Sequence, residues 1–171
     1  MTRSELEIII KKRAAIVITT LAALLAINTY VGNSLSSKIM NNTIAANNLW
    51  SWYQAKNVRT AIYSGLADMV EQKHTPDNMR LSQYYRTEVH RLRTEPGDGM
   101  ETLAAKARAL ELERDHAKER SPFYTYAGSA LQISIVLSTA AILAVAMPLF
   151  WASCGVGAIG AGLFLFGFFG V

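Results

Sequence analysis

Charge is missing from two long stretches of this chain, Ala14 to Ser37 and Ser121 to Val171, and those gaps govern how the rest is read. A membrane-spanning helix needs about 20 mainly apolar residues, so the second stretch is long enough for two crossings and the first for one. The apolar runs hold no Asp, Glu, Lys, Arg or His, which disfavours proton relays, ion-coupled motors and voltage sensors. Cysteine is almost absent: Cys154 stands alone and can form no internal disulfide. Proline occurs only at positions 76, 96, 122 and 148, so breaks between helices are few. The chain has no Ser/His/Asp, Cys/His or phosphate-cradling glycine pattern, and a non-enzyme without a cofactor is expected.

What charge there is gathers in Met1 to Arg13 and Lys38 to Arg120. Of 17 Lys and Arg and 13 Asp and Glu, four basic and two acidic residues lie in the first segment. The net charge of +4 is modest and no basic stripe interleaved with stacking aromatics runs along the chain, so nucleic acid is not an expected partner. The cluster Lys11, Lys12 and Arg13 abutting the first apolar run places the N-terminus on the cytoplasmic side and the polar insert outside. In a Gram-negative cell that insert is periplasmic. Arg114, Lys118 and Arg120 flank the second span on the insert side and pull the other way.

The pattern predicts an all-α membrane protein with three transmembrane helices and a long antiparallel helical stalk between the first and second. Residues 1–13 form a basic tail and 14–32 an uncleaved signal anchor; 33–121 form the stalk; 127–147 and 151–171 form the last two spans. Thr19, Thr20, Asn28 and Thr29 in the first span are expected to bond to their own helix or to a neighbour. From Asn33 to Lys73 apolar residues recur at steps of three, four and seven, the mark of one long helix weakened by asparagines at 33, 41, 42, 47 and 48. Thr75-Pro76-Asp77 reads as a cap and restart; Glu95-Pro96-Gly97 as a break; Asp98 with Glu101 as a capping-box start; Ser121-Pro122 as a stop. At 1.5 Å per residue the outgoing helix spans about 60 Å and the returning pair about 65 Å, so they match as an antiparallel, coiled-coil-like stalk. Two helices alone make a thin core, which implies packing against further copies or another partner.

Three constellations bear on function. The densest is Trp50, Trp52, Tyr53, Gln54, Lys56, Arg59 and Tyr63, in which helical spacing pairs Trp52 with Lys56 and Arg59 with Tyr63 as cation–π contacts. It reads as an interaction seam before it reads as a ligand site, because no acid or nucleophile joins it. Glu71-x-x-His74 and Glu113-x-x-His116 have the spacing of dinuclear metal ligands on bundle helices. They are far apart in the stalk and lack the two further glutamates, so no metal site is expected. In the membrane, Ser153, Gly157 and Ala161, with Ala158 and Gly162 on the adjoining face, permit close helix packing, while Gln132, Ser134, Ser138 and Thr139 form a candidate pore lining.

The residues Trp50, Tyr53, Gln54, Ala55, Lys56 and Arg59, with the segment Ala130-Leu131-Gln132-Ile133-Ser134-Ile135-Val136-Leu137, resemble the bacterial membrane proteins grouped as domain-of-unknown-function family 4337. The order of parts is similar along nearly the whole chain. The resemblance implies a bacterial membrane location and adds no reaction; the expected membrane is the cytoplasmic (inner) one. The turn Ala144 to Pro148 departs from it in carrying no basic residue. The expected function is a non-enzymatic, multi-pass membrane protein that self-associates as a scaffold or accessory of a larger membrane complex; the alternative is a homo-oligomeric channel lined by the second span.

Overall fold

The computed structural model describes residues 3–170, with side chains from residue 7 onward. Four helices make up the described chain, and no strand occurs among the described residues: α1 (Arg3–Glu71), α2 (Pro76–Thr94), α3 (Met100–Ala144) and α4 (Met147–Phe169). Three of them, α1, α3 and α4, are long and apolar enough to cross a membrane. Met1, Thr2 and Val171, at the ends of the expected tail and last span, lie outside the described residues, as do the side chains of Arg3 and Glu5.

The helix boundaries follow local chemistry in two places and depart from expectation in two others. Thr75 is extended and its hydroxyl accepts from the Asn78 N–H at 3.4 Å, with Pro76 in the first turn and Asp77 beside it. Gly97, at φ +88°, breaks the chain after α2 as expected. Pro122, however, does not end a helix: α3 runs through it without interruption. An interior proline costs about 3 kcal/mol, but the buried residues Ala117, Tyr124 and Ala127 continue one packed line on both sides of it, and that shared burial holds the helix together. The last reversal sits at Val145, with φ 51°, and extended Ala146. Pro148 instead falls in the first turn of α4, where its missing N–H costs nothing.

The chain divides into two units, Met1–Ile39 with His116–Val171, and Met40–Asp115. In the first, the buried line of α3 is Ala117, Tyr124, Ala127, Leu131, Ser134, Ser138 and Ala141, steps of three, four and seven. Facing it are Ile10, Ala14, Leu21 and Asn28 of α1 and Phe150, Ser153, Gly157, Gly160 and Gly167 of α4. A 3.5-residue repeat is the geometry of gently supercoiled helices. Lipid tails are as apolar as leucine, so apolar burial favours helix contact little; small residues and interhelical hydrogen bonds do that instead. Thr19, Thr20 and Thr29 bond to carbonyls of their own helix, at Ala15, Ile16 and Leu25. Asn28 crosses to α3, its Nδ2 donating to the Tyr124 carbonyl at 2.9 Å.

In the second unit the core is thin. Its buried side chains are Ala46, Thr60 and Ala67 of α1, Ser82 and Leu92 of α2, and Met100, Leu103 and Ala107 of α3. Polar contacts supplement it. At the α1–α2 turn Arg86 donates to Glu71 at 2.6 Å and Asp68 at 3.2 Å, and the Ser82 hydroxyl donates to Glu71. The Arg86 hydrogen bond and charge hold the Glu71 carboxyl below its ordinary value near 4.5. A depressed carboxyl contributes stability above its unfolded value and loses it as pH falls through the folded one. The thermal midpoint of the wild type should therefore exceed that of Arg86→Gln at pH 7, and the gap should close as pH falls through 4 and below, measured by circular dichroism in detergent.

Candidate interaction site

Along Met40–Glu71 the inner face of α1 is itself a repeat of sevens: Ala46, Tyr53, Thr60 and Ala67 on one line and Leu49, Lys56, Tyr63 and Val70 on the next, all buried or half-buried. That register divides the aromatic and basic cluster. Trp50, Tyr53, Lys56 and Tyr63 turn inward, while Trp52, Gln54 and Arg59 are exposed. Trp50 donates from Nε1 to Glu111 at 2.9 Å and meets Tyr53 edge-on at 5.5 Å. Tyr63 stacks on Tyr85 of α2 at 5.8 Å rather than pairing with Arg59.

Lys56 also departs from the expected cation–π contact. Its ammonium donates to both the Asp98 carbonyl, at 2.5 Å, and the Asp98 carboxylate, at 2.6 Å. Only 13% of the Lys56 side chain is exposed, so this ion pair is anchored on the α1 side. Asp98 is thereby drawn to α1, and α3 begins two residues beyond it, at Met100. The residues of this segment thus fasten the loop between α2 and α3 onto α1. A cleft of about 470 Å³ beside Tyr53 is lined by Asn57, Arg93, Glu101 and Arg108, a mixed-charge wall without a nucleophile.

The metal-like spacings resolve differently. The Glu71 carboxylate is taken by Arg86, while His74 lies beyond the helix at φ 50° with Nδ1 2.6 Å from the Glu71 carbonyl. Asn42 Nδ2 donates to Glu113 at 3.5 Å, and His116 Nδ1 is 3.9 Å from Glu119. Among the described residues no three of His, Cys, Asp or Glu gather as a metal-ligand set.

Within the membrane-type helices, Ser134 donates to the Ser153 carbonyl at 2.7 Å, and Ser153 donates to the Ser134 carbonyl at 2.9 Å. Ser138 and Ser153 share a hydroxyl hydrogen bond at 2.5 Å. All three serines are fully buried. Gln132 and Thr139 are exposed, and Thr139 bonds back to the Ile135 carbonyl. The four residues expected to line a pore therefore do not share a face: two residues along a helix is a turn of about 200°. Among the small residues of α4, Ser153 and Gly157 are buried, Ala161 is half-buried, and Ala158 and Gly162 are exposed.

One contact has no precedent in the sequence pattern. Arg120 of α3 donates from Nε and Nη2 to the Gly167 carbonyl, at 3.1 and 2.9 Å, and from Nη2 to the Phe168 carbonyl at 2.9 Å. The last turn of α4 holds no basic residue of its own, so a neighbouring helix supplies the cation that its unpaired carbonyls favour. The available signal was an arginine beside a charge-free run; its target 47 residues on was not legible.

A family model for a domain of unknown function, DUF4337, matches residues 10–170. Neither a curated protein nor a solved structure matches the chain.

Proposed function

The chain belongs to the DUF4337 family, which carries no assigned reaction, and on that premise we propose a non-enzymatic integral membrane protein that self-associates as a scaffold or accessory of a membrane assembly. The observation that carries this reading is the thin core of residues 40–115. Its buried side chains are few and mostly small, while Ile44, Trp52, Val58, Ile62 and Met69 of α1 stand more than half exposed. A run of large apolar side chains on one helix favours a protein partner, and the partner always present in the same membrane is another copy. The particle in mild detergent is expected to weigh at least twice the chain's 18.8 kDa once detergent is subtracted; a mass equal to one chain overturns the proposal.

The location that accompanies this reading is a bacterial inner membrane, with the N-terminus cytoplasmic and residues 40–115 outside. Lys11, Lys12 and Arg13 before the first apolar run support that orientation. A reporter active only in the cytoplasm, fused after Pro96, should be silent; activity there reverses the orientation. A pore along α3 draws no support from Ser134 and Ser138, whose hydroxyls are spent on α4.

A further inference from the structure

Helix α1 carries a second repeat of sevens on the side turned away from α2 and α3. From Ile44 every fourth and then third residue, as far as Met69, is exposed, a line about 38 Å long. Its large members are Ile44, Val58, Ile62 and Met69, at 54, 60, 55 and 67% exposure. The small members are Ser51 and Ala55, which lie between Ile44 and Val58, and Gly65, between Ile62 and Met69, and Asn48 is the single amide. Lys56, Arg59, Asp68 and Glu71, the charges of this stretch, all lie off the line. An uncharged stripe sustained over nearly four heptads is far more regular than scattered surface apolar residues, and a period of 3.5 calls for a helix of the same period opposite it.

We propose that this stripe is the seam of a parallel two-stranded contact between the α1 helices of two copies, an assignment that rests on the self-association reading above. Copies inserted in one membrane share one orientation, so their α1 helices run parallel, and a stripe facing its own copy makes a closed two-fold interface. In heptad terms Asn48, Ala55, Ile62 and Met69 occupy the a positions and Ile44, Ser51, Val58 and Gly65 the d positions. A single asparagine at a is the device that fixes register in parallel dimers. In that register the flanking positions bring Gln54 opposite Arg59 of the second copy, with no like charges opposed along the helix. The small residues let the backbones approach; a methyl group placed on Gly65 meets nothing within 4 Å in the single chain.

The test uses the full chain with Cys154→Ser, its only cysteine removed, and single cysteines returned at Ser51, Val58 and Asn57. Val58 lies on the stripe and Asn57, its exposed neighbour, lies off it. Mild oxidation in native membranes should yield about ten-fold more disulfide-linked dimer from Ser51→Cys and Val58→Cys than from Asn57→Cys, because only facing positions bring Cα atoms within bonding range. Equal yields at 57 and 58 from a particle that is still dimeric in detergent overturn the seam and leave self-association standing; a one-chain particle overturns both. Ile62→Glu adds an independent arm. Since Ile62 is exposed in the single chain, its helicity should be unchanged while the detergent particle falls to one chain. A surviving dimer overturns the assignment.

Discussion

Gly157→Leu is expected to lower the thermal midpoint in detergent by about 6–12 °C, the shift that corresponds to about 3 kcal/mol in a chain of this size. A methyl group on Gly157 would lie 2.8 Å from Ser134 Oγ and 3.0 Å from Leu21 Cδ2. The serine hydroxyl cannot swing aside freely, because it is bonded to both the carbonyl and the hydroxyl of Ser153. Relief therefore requires α4 to move off α3, which exposes the Ser134, Ser138 and Ser153 hydroxyls to a medium that cannot hydrogen-bond them. Interhelical hydrogen bonds of this kind contribute about 0.6 kcal/mol each and at most about 1.7, so most of the expected loss is steric. Gly155 and Gly162, on the same helix, have no atom within 4 Å of an added methyl group. Leucine at either should leave the midpoint unchanged or raise it slightly, since glycine is a poor helix former by up to about 1 kcal/mol. Equal losses at 155 and 157 would show that the packed face of α4 has been misplaced.

Gly99→Ala should destabilise the turn between α2 and α3 by about 2–3 kcal/mol. Here the obstruction is backbone: an added methyl group falls 2.6 Å from the Glu95 carbonyl oxygen, 2.7 Å from its nitrogen and 2.8 Å from the Arg93 oxygen. No rotamer relieves that. The Gly99 N–H also donates to the Glu95 carbonyl at 2.7 Å, and the Gly99 carbonyl accepts from Leu103 at 2.9 Å, so moving the residue unpicks the start of α3. Asp98 would move with it and release Lys56. Gly97→Ala makes the useful comparison, because its methyl group has open space and only the φ of +88° penalises it, by about 1 kcal/mol. Protease nicking between Glu95 and Gly99 and the thermal midpoint should both rank wild type, then Gly97→Ala, then Gly99→Ala. A reversed order would remove the steric account.

Much of the architecture is legible because it depends on local chemistry. Thr75, Pro76 and Asp77 start α2 through a hydroxyl, a fixed φ and a carboxylate near a helix N-terminus, all within four residues. Pro122 misleads because its cost of about 3 kcal/mol is real but local, while the packing of Tyr124 and Ala127 that outweighs it is contributed by other helices. The cation–π pairs expected around Lys56 and Tyr63 fail for a related reason. Spacing along one helix shows which residues are neighbours, but Asp98 and Tyr85, the partners actually engaged, come from 42 and 22 positions away.

The sequence by itself determined the number of membrane-type helices, since the absence of charge over about 20 residues leaves a chain no other low-energy place, and it determined that α1 runs long, since nothing between Asn33 and Glu71 interrupts it. Only the tertiary structure decided which side of that helix faces inward. Between Met40 and Glu71 α1 offers two seven-residue repeats on opposite sides, one centred on Tyr53 and Thr60 and one on Val58 and Ile62. Hydrophobicity alone does not rank them, for each mixes large apolar, small and polar members. The choice falls to the first because Tyr85, Glu111 and Asp98 on the returning helices and loop answer Tyr63, Trp50 and Lys56 with a ring, a carboxylate and a second carboxylate. Matching between distant segments, not the content of either, settles the face.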